Sequence, residues 1–526
     1  MTQLPSPTAI KLFNTKVQPK NIEVFGLNKG VFMNKYLVLF LFFGLTACHS
    51  NLQNPQSDTL YKSSSEDQNF ALSARETPTL IVTNIKGEAL AGAQVLFGTR
   101  FGQPFVNNLI ETNREGQVTA PKEWDGPISI TVNSPGYLRV TYLNVTPKDL
   151  IFKLRPLEKA ERIEMSGITN GFGSLEKNNI ADFGLVIQAL NKRDLFSFSL
   201  DKIISSEMDI MSIAGFDAKV PSNLTFPKQK ESYVIPVTLE KERYRFYFNE
   251  PGSKKVYALH GKFPFTDVVD KIRNKVPFPM LINYFEFTNA SLRDVIIAGP
   301  TVINLPVSDL SFTEEETVIP PKVNADNYIL TIALMENQGY LYPTDLHKVE
   351  NSNPIRLKGL FNSSRYLLSM LKRNEANKTK SNFSDALSLE LVPHRHNQTP
   401  NFLNLLAAPQ PTKNGWNSIP PTIKGDITPL STYSVLSTVY NNPKQKTSIR
   451  QWEFYSDSWN ENLEIPEWPN ENSLSETTPT SSNGELHRWE VTYTGTNKKQ
   501  ILATQIPMGP DVINYTTHMS FNSVEF

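Results

Sequence analysis

Hydrophobic and polar positions divide the chain into three kinds of stretch. Residues 36–47 form a continuous apolar run without a charge. Residues 49–76 are rich in Ser, Asn, Gln and Asp and too poor in apolar side chains to bury a core, so they read as a flexible tether. From residue 77 onward, short runs of β-branched and aromatic residues alternate with period two between Gly-, Pro- and Asn-containing turns. Strands are predicted at 79–83, 89–97, 128–132, 183–187, 233–239, 244–248, 295–297, 328–334 and 489–493. Helices are predicted at 266–274, with Thr266 as cap, Asp267 at the positive end and Val268, Val269 and Ile272 on one face, and at 364–373. The expected fold class is mainly β: several antiparallel β-sandwich-type domains in tandem with a few short helices. No segment recurs with a fixed period, which argues against a solenoid or propeller.

Composition narrows the function classes. A chain of 526 residues has room for about three domains. Its 20% charged content, 31 Phe and 18 Tyr exclude a wholly disordered chain. Lys+Arg 52 against Asp+Glu 52 supplies no basic face, so nucleic acid is not expected as a partner. A single Cys excludes an intrachain disulfide and a Cys-built zinc site, and no cofactor is expected.

The apolar run of residues 36–47 spans only about 18 Å as a helix, against a bilayer core of roughly 30 Å. With Lys35 before it, the run reads as the core of a signal peptide. It ends in Leu45-Thr46-Ala47-Cys48, which resembles the lipobox of bacterial lipoproteins. That resemblance implies peptidase recognition through Leu45, Thr46 and Ala47, and a diacylglycerol on the sulfur of Cys48. Met33 then reads as the true start and residues 1–32 as an over-extended gene model. Removing residues 1–47 takes away five lysines and one glutamate, leaving the remainder four charges negative. His49, where an Asp holds such proteins at the inner membrane, points to the outer membrane. The tether 48–76 would span about 30 Å as a coil and at most about 90 Å.

Residues 77–156 carry Lys86-Gly87-Glu88-Ala89-Leu90-Ala91-Gly92-Ala93-Gln94-Val95, Thr112-Asn113-Arg114-Glu115-Gly116-Gln117 and Ile130-Thr131-Val132-Asn133-Ser134-Pro135-Gly136-Tyr137. The three blocks resemble the carboxypeptidase regulatory-like domain, which implies a prealbumin-type seven-stranded sandwich without catalytic residues, used as a spacer or binding module. Beyond it lie β-rich segments at 162–320 and 321–468, an Asn/Ser/Thr/Glu/Pro-rich linker or loop at 469–484 and closing strands at 485–526.

Candidate chemistry is sparse. His347-Lys348-Val349-Glu350 has the His-x-x-Glu spacing of zinc carboxypeptidases, and His347 and Glu350 are ligand types that zinc accepts. In those enzymes the accessory sandwich usually follows the catalytic domain; here it precedes, and a solvated loop is the expectation. His394 and His396 would share a face of a strand, but Pro393 and Pro400 flank them and favour an exposed turn. Gly167 to Gly173 lacks the Lys-Ser/Thr of a phosphate-binding loop and reads as a turn between strands. Glu207, Asp209 and Asp217 could meet as a cation site, against a reading as ordinary loop acids. Trp452 and Trp459, with Phe454, Tyr455 and Trp468, would stack on sugars if exposed and belong to a core if buried; the core is favoured.

The expectation is a non-enzymatic cell-envelope lipoprotein, joined to the membrane by an N-terminal lipid anchor, with a structural, adhesive or ligand-binding role toward a protein or glycan. The alternatives are a lipid-anchored, metal-dependent hydrolase of peptide or glycan, with its site in 162–465, and a carbohydrate-binding protein.

Overall fold

The computed structural model describes residues 77–526 except 158–162, 173–178, 197–202, 204, 206, 214–215, 228–240, 249–250, 275, 277–280, 308–309, 313, 319–322, 325, 350–354, 360–363, 374–385, 394–398, 424, 442–445, 469–485 and 499–507. The signal, lipobox and tether segments, and the strand expected at 233–239, lie outside the described residues. The described chain is mostly strand. Among the described residues no helix is long and apolar enough to cross a membrane.

The first seven strands are β1 (Thr79–Asn84), β2 (Gln94–Phe97), β3 (Leu109–Glu111), β4 (Gln117–Thr119), β5 (Ile128–Asn133), β6 (Arg139–Val145) and β7 (Leu150–Leu154). They form two layers. One is the sheet β4-β1-β7; the other, β6-β5-β2-β3, is one end of a twelve-stranded sheet. The alternating apolar positions read from the sequence face each other between the layers: Leu80 and Val82 meet Val95, Phe97, Ile130 and Val132, and Tyr142 stacks on Phe152 at 4.1 Å between ring centroids.

The twelve-stranded sheet continues from β6 through Lys446–Ser456, Thr428–Asn441, Leu486–Thr496, His518–Glu525, Leu387–Pro393, Ser364–Arg373 and Asn327–Asn337 to Tyr340–Val349. The last two strands of the chain therefore lie in its middle. Every pairing is antiparallel except the parallel one between β6 and Lys446–Ser456. Far from β6, one face of the sheet packs Ile332, Leu368, Met370, Leu389 and Phe521 against a five-stranded sheet containing Ile180–Gln188, Gly252–Pro264 and Glu286–Ile297. That smaller sheet is buried on both sides: Phe183, Leu185, Tyr257 and Leu259 face the large sheet, while Val186, Val256 and Ala258 meet Met165, Tyr244 and Phe246 of a third layer.

The helix expected at 266–274 is present as Phe265–Arg273, with Val268 and Val269 buried. Thr266 does not cap it; its hydroxyl donates to Asn179 Oδ1. The helix expected at 364–373 is instead the strand Ser364–Arg373. Its Leu367-Leu368-Ser369-Met370 run is apolar enough for either element, and periodicity alone does not separate them. Burial on two sides decides for the strand: Leu367 packs with Val318 and Leu357 on one face, and Leu368 and Met370 enter the main core on the other.

Candidate functional site

The parallel pairing of β6 with Lys446–Ser456 joins the first sandwich to the rest of the sheet, and the aromatic cluster noted in the sequence lies along it. Trp452 pairs with Arg139, Phe454 with Thr141 and Tyr455 with Tyr142. Trp452 is 2% exposed, its indole N–H donates to Thr141 Oγ1 at 2.8 Å, and the Arg139 guanidinium covers its ring at 4.5 Å and that of Trp468 at 4.8 Å. Both faces of the Trp452 ring are therefore occupied by protein, Phe454 being stacked on it at 5.1 Å. Trp459 is half-buried; its N–H donates to the Thr494 carbonyl at 2.8 Å, and its ring meets Tyr493 edge-on. These contacts make both tryptophans packing groups.

The opposite face of this seam holds a buried charge cluster that sequence reasoning missed. Glu453 Oε1 lies 3.3 Å from Arg155 Nη1 and 3.2 Å from Arg450 Nη1. Tyr433 donates to Oε1 at 3.1 Å and Tyr455 to Oε2 at 3.0 Å. Burial pulls the Arg155 pKa down, but Glu453, Tyr455 and Tyr433 outweigh it and raise it; burial pushes the Tyr433 hydroxyl far above its ordinary range, keeping it a neutral donor. Arg450 and Glu453 are three apart in a strand, which ordinarily puts side chains on opposite faces. The register shift between Leu436 and Ser437 leaves Gln451 as an extra residue, a bulge that turns Arg450 onto the face of Glu453. The available signal was Arg450 and Glu453 set beside the aromatic residues Trp452, Phe454 and Tyr455.

A second polar feature crosses the sheet in register. His347, Thr331, Ser369, Glu390 and His518 sit directly opposite one another on five neighbouring strands. His518 Nε2 lies 3.2 Å from Glu390 Oε1 and its Nδ1 2.8 Å from Thr517 Oγ1. Glu390 Oε2 accepts from Asn401 N at 3.0 Å, while Ser520 and Asn522 donate to the carbonyls of Asn404 and Leu406. Glu390, Ser520 and Asn522 thus supply partners to an irregular segment, 401–406, laid on the sheet, whose backbone groups would otherwise be buried unpaired. His347, read from the sequence as a metal candidate, has its Nε2 3.1 Å from Asp345 Oδ2 without a hydrogen bond between them. Its proposed companion Glu350 lies outside the described residues, as do His394, His396, Cys48 and Leu45–Ala47. Among the described residues no three His, Cys, Asp or Glu side chains gather within reach of one ion.

The remaining candidates resolve locally. Gly167 lies inside the strand Ile163–Asn170, where a Cβ would fall 1.7 Å from the Ile303 carbonyl; the glycine admits a neighbouring backbone rather than a phosphate. Asp209 is held by Lys241 and Arg245, and Asp217 accepts from Ser212, so the three acids do not converge on a cation. Asp182, His260 and Thr288 form a further carboxylate–imidazole–hydroxyl set, at 3.2 and 3.1 Å, with Thr288 turned toward His260 by a bulge. Phe172 covers the ring edge-on, and Asp182 and His260 are both buried, which closes the set to a substrate.

Lys192 shows a cost of burial that can be measured. Its Nζ donates to the Asn514 carbonyl at 3.1 Å, and Lys498 donates to the same oxygen at 3.4 Å. Burial, and then Lys498, lower its pKa to about 7. The unfolded chain holds this proton up to about pH 10.4, so the folded state carries the full penalty below pH 7 and sheds it as pH rises toward 10. Lys192→Met is expected to raise the thermal midpoint at pH 6 and to lose that advantage by pH 9.5. A gain independent of pH would contradict the assignment.

No family profile and no curated protein sequence matches the chain. Three solved structures show distant likeness. The Bacillus anthracis TIE protein is 11% identical, with 62% of this chain and 49% of that one covered at a TM-score of 0.14, so this chain spans about half its length. A DUF3823 family protein from Bacteroides uniformis is 11% identical, over 42% of this chain and 99% of that one, at 0.12. A streptococcal ancillary pilin is 7% identical, over 62% and 98%, at 0.13. At such TM-scores none of them bears on what this chain does.

Proposed function

We propose that this chain is a lipid-anchored cell-envelope protein whose β-sheet platform serves a structural, adhesive or ligand-binding role toward a protein or glycan. The observation that carries the reading is the seam. A small sandwich placed next to a tether is paired strand to strand with a large sheet, and a buried ion cluster fixes the join, which suits a rigid display element better than a hinged catalytic module. The lipobox resemblance at Leu45-Thr46-Ala47-Cys48 supports the anchor, and His49 supports the outer membrane. Two or three acyl chains, at about 0.8 kcal/mol per buried methylene, hold a protein to a bilayer durably.

Fractionation of cells expressing the full chain tests this. The wild type is expected in the membrane fraction and Cys48→Ser in the soluble fraction. Protease treatment of intact cells then separates a surface-exposed protein from one facing the periplasm. Unchanged membrane association of Cys48→Ser would remove the anchor.

A further inference from the structure

The strand directions of the first sandwich place one apolar loop at the end where the described chain begins. The chain enters at Thr79, and β1 runs away from that end to Asn84. After the turn at 85–93, β2 returns, in antiparallel register with β5, which starts at the Thr79 end. The loop 98–108 that follows β2 therefore lies at the Thr79 end, with the loops 120–127 and 146–149. Two contacts fix this arrangement: Thr79 pairs with Thr119, and Thr79 N donates to Asp149 Oδ1 at 2.7 Å.

This loop is tied from within. Asn108, fully buried, donates to the carbonyls of Phe97, Arg100 and Gln103 at 2.7–2.8 Å and accepts from Gly102 N at 2.9 Å. Gly98, at φ +116°, lets the chain close so tightly that a Cβ there would sit 2.4 Å from the Gln103 carbonyl. On this fixed base Phe101 is 61% and Val106 83% exposed. Isolated exposed apolar residues are ordinary, and Ile210, Ile296, Val302 and Ile419 are others in this chain. What sets Phe101 and Val106 apart is their place: both stand on one rigid loop at the Thr79 end. The flanking loops carry Lys122 and Lys148 against Glu123, Asp125 and Asp149, and Arg100 is paired with Glu467, so the end is apolar with mixed charge rather than basic.

We infer that loop 98–108 is a lipid-surface contact, in which Phe101 and Val106 enter the interfacial layer of the bilayer that holds the acylated Cys48. The inference rests on the lipid-anchor reading. The occupant is a lipid surface because the chain preceding residue 77 leads from this end of the sandwich, through a tether of at most about 90 Å, to the anchor. Balanced charge at this end means the contact does not require anionic lipid.

The test uses the full acylated chain on phosphatidylcholine vesicles. With Cys48 acylated, Val106→Cys supplies a single free thiol for an environment-sensitive fluorophore. Glu115→Cys, in the turn at the opposite end of the sandwich, is the control. The 106 probe is expected to shift blue and lose most of its quenching by aqueous iodide on vesicles, while the 115 probe stays red and quenched. Cys48→Ser/Val106→Cys in solution should stay red as well. Protein that floats with vesicles but keeps its 106 probe quenched overturns the loop contact and leaves the anchor intact. Equal shifts at 106 and 115 also overturn it, because the loop then has no preferred orientation. Protein that does not float overturns the anchor reading, and the loop inference with it.

Discussion

Glu453→Ala is expected to destabilise the protein by about 3–5 kcal/mol, a large effect for one carboxylate. Glu453 is 1% exposed, accepts from Arg450, Tyr433 and Tyr455, and lies within ion-pair distance of Arg155. Its removal takes the shared carboxylate from two buried guanidinium groups, and the loss is dominated by that change in buried charge balance rather than by the value of the original pair. The distinguishing variant is therefore the triple replacement Arg155→Met, Arg450→Met and Glu453→Leu. It removes all three charges and is expected to recover most of the stability lost in Glu453→Ala. Guanidinium denaturation of the full chain, followed by circular dichroism and by the summed fluorescence of its six tryptophans, measures the loss. A change within about 1 kcal/mol for Glu453→Ala would sink the view that this cluster holds the sandwich to the sheet.

Trp452→Ala is expected to cost about 3–5 kcal/mol, the range for deleting a large buried aromatic side chain. The deletion opens a cavity among Phe454, Trp468 and Arg139, removes a cation–π contact and takes away one of the two hydrogen bonds of Thr141 Oγ1, the other being to Thr131. Trp459→Ala should cost less, since that ring is half-buried and loses one hydrogen bond to Thr494. The pair of variants decides between packing and sugar recognition. Packing predicts a lowered unfolding midpoint in both, larger for Trp452. Wild-type stability combined with lost affinity in a glycan-binding assay would restore the carbohydrate reading.

Much of the local structure was legible in the residues. Alternation in the 79–83 and 128–132 runs set the strands of the first sandwich, because a half-buried strand needs period two. The short helix at 265–273 was legible from its amphipathic spacing and from Asp267 in its first turn. The apolar run of 36–47, the lone Cys48 and the polar stretch of 49–76 are likewise properties of the sequence by itself, since they depend on composition and order alone.

What the sequence could not supply was long-range register. Ser364–Arg373 is a strand because Asn327–Asn337 and Leu387–Pro393 pair along its two edges and separate apolar clusters cover its two faces, and local propensity does not contain that information. The closing strands Leu486–Thr496 and His518–Glu525 take the centre of the large sheet, although they come last in the chain. The seam depends on Arg155 meeting Glu453 across almost three hundred residues and on a bulge that reverses the face of Arg450. The polar row from His347 to His518 exists only because five strands align. Alternation along a strand follows from backbone geometry, whereas the choice of neighbouring strand follows from which buried surfaces fit. The first is written locally, and the second is decided only when the whole sheet assembles.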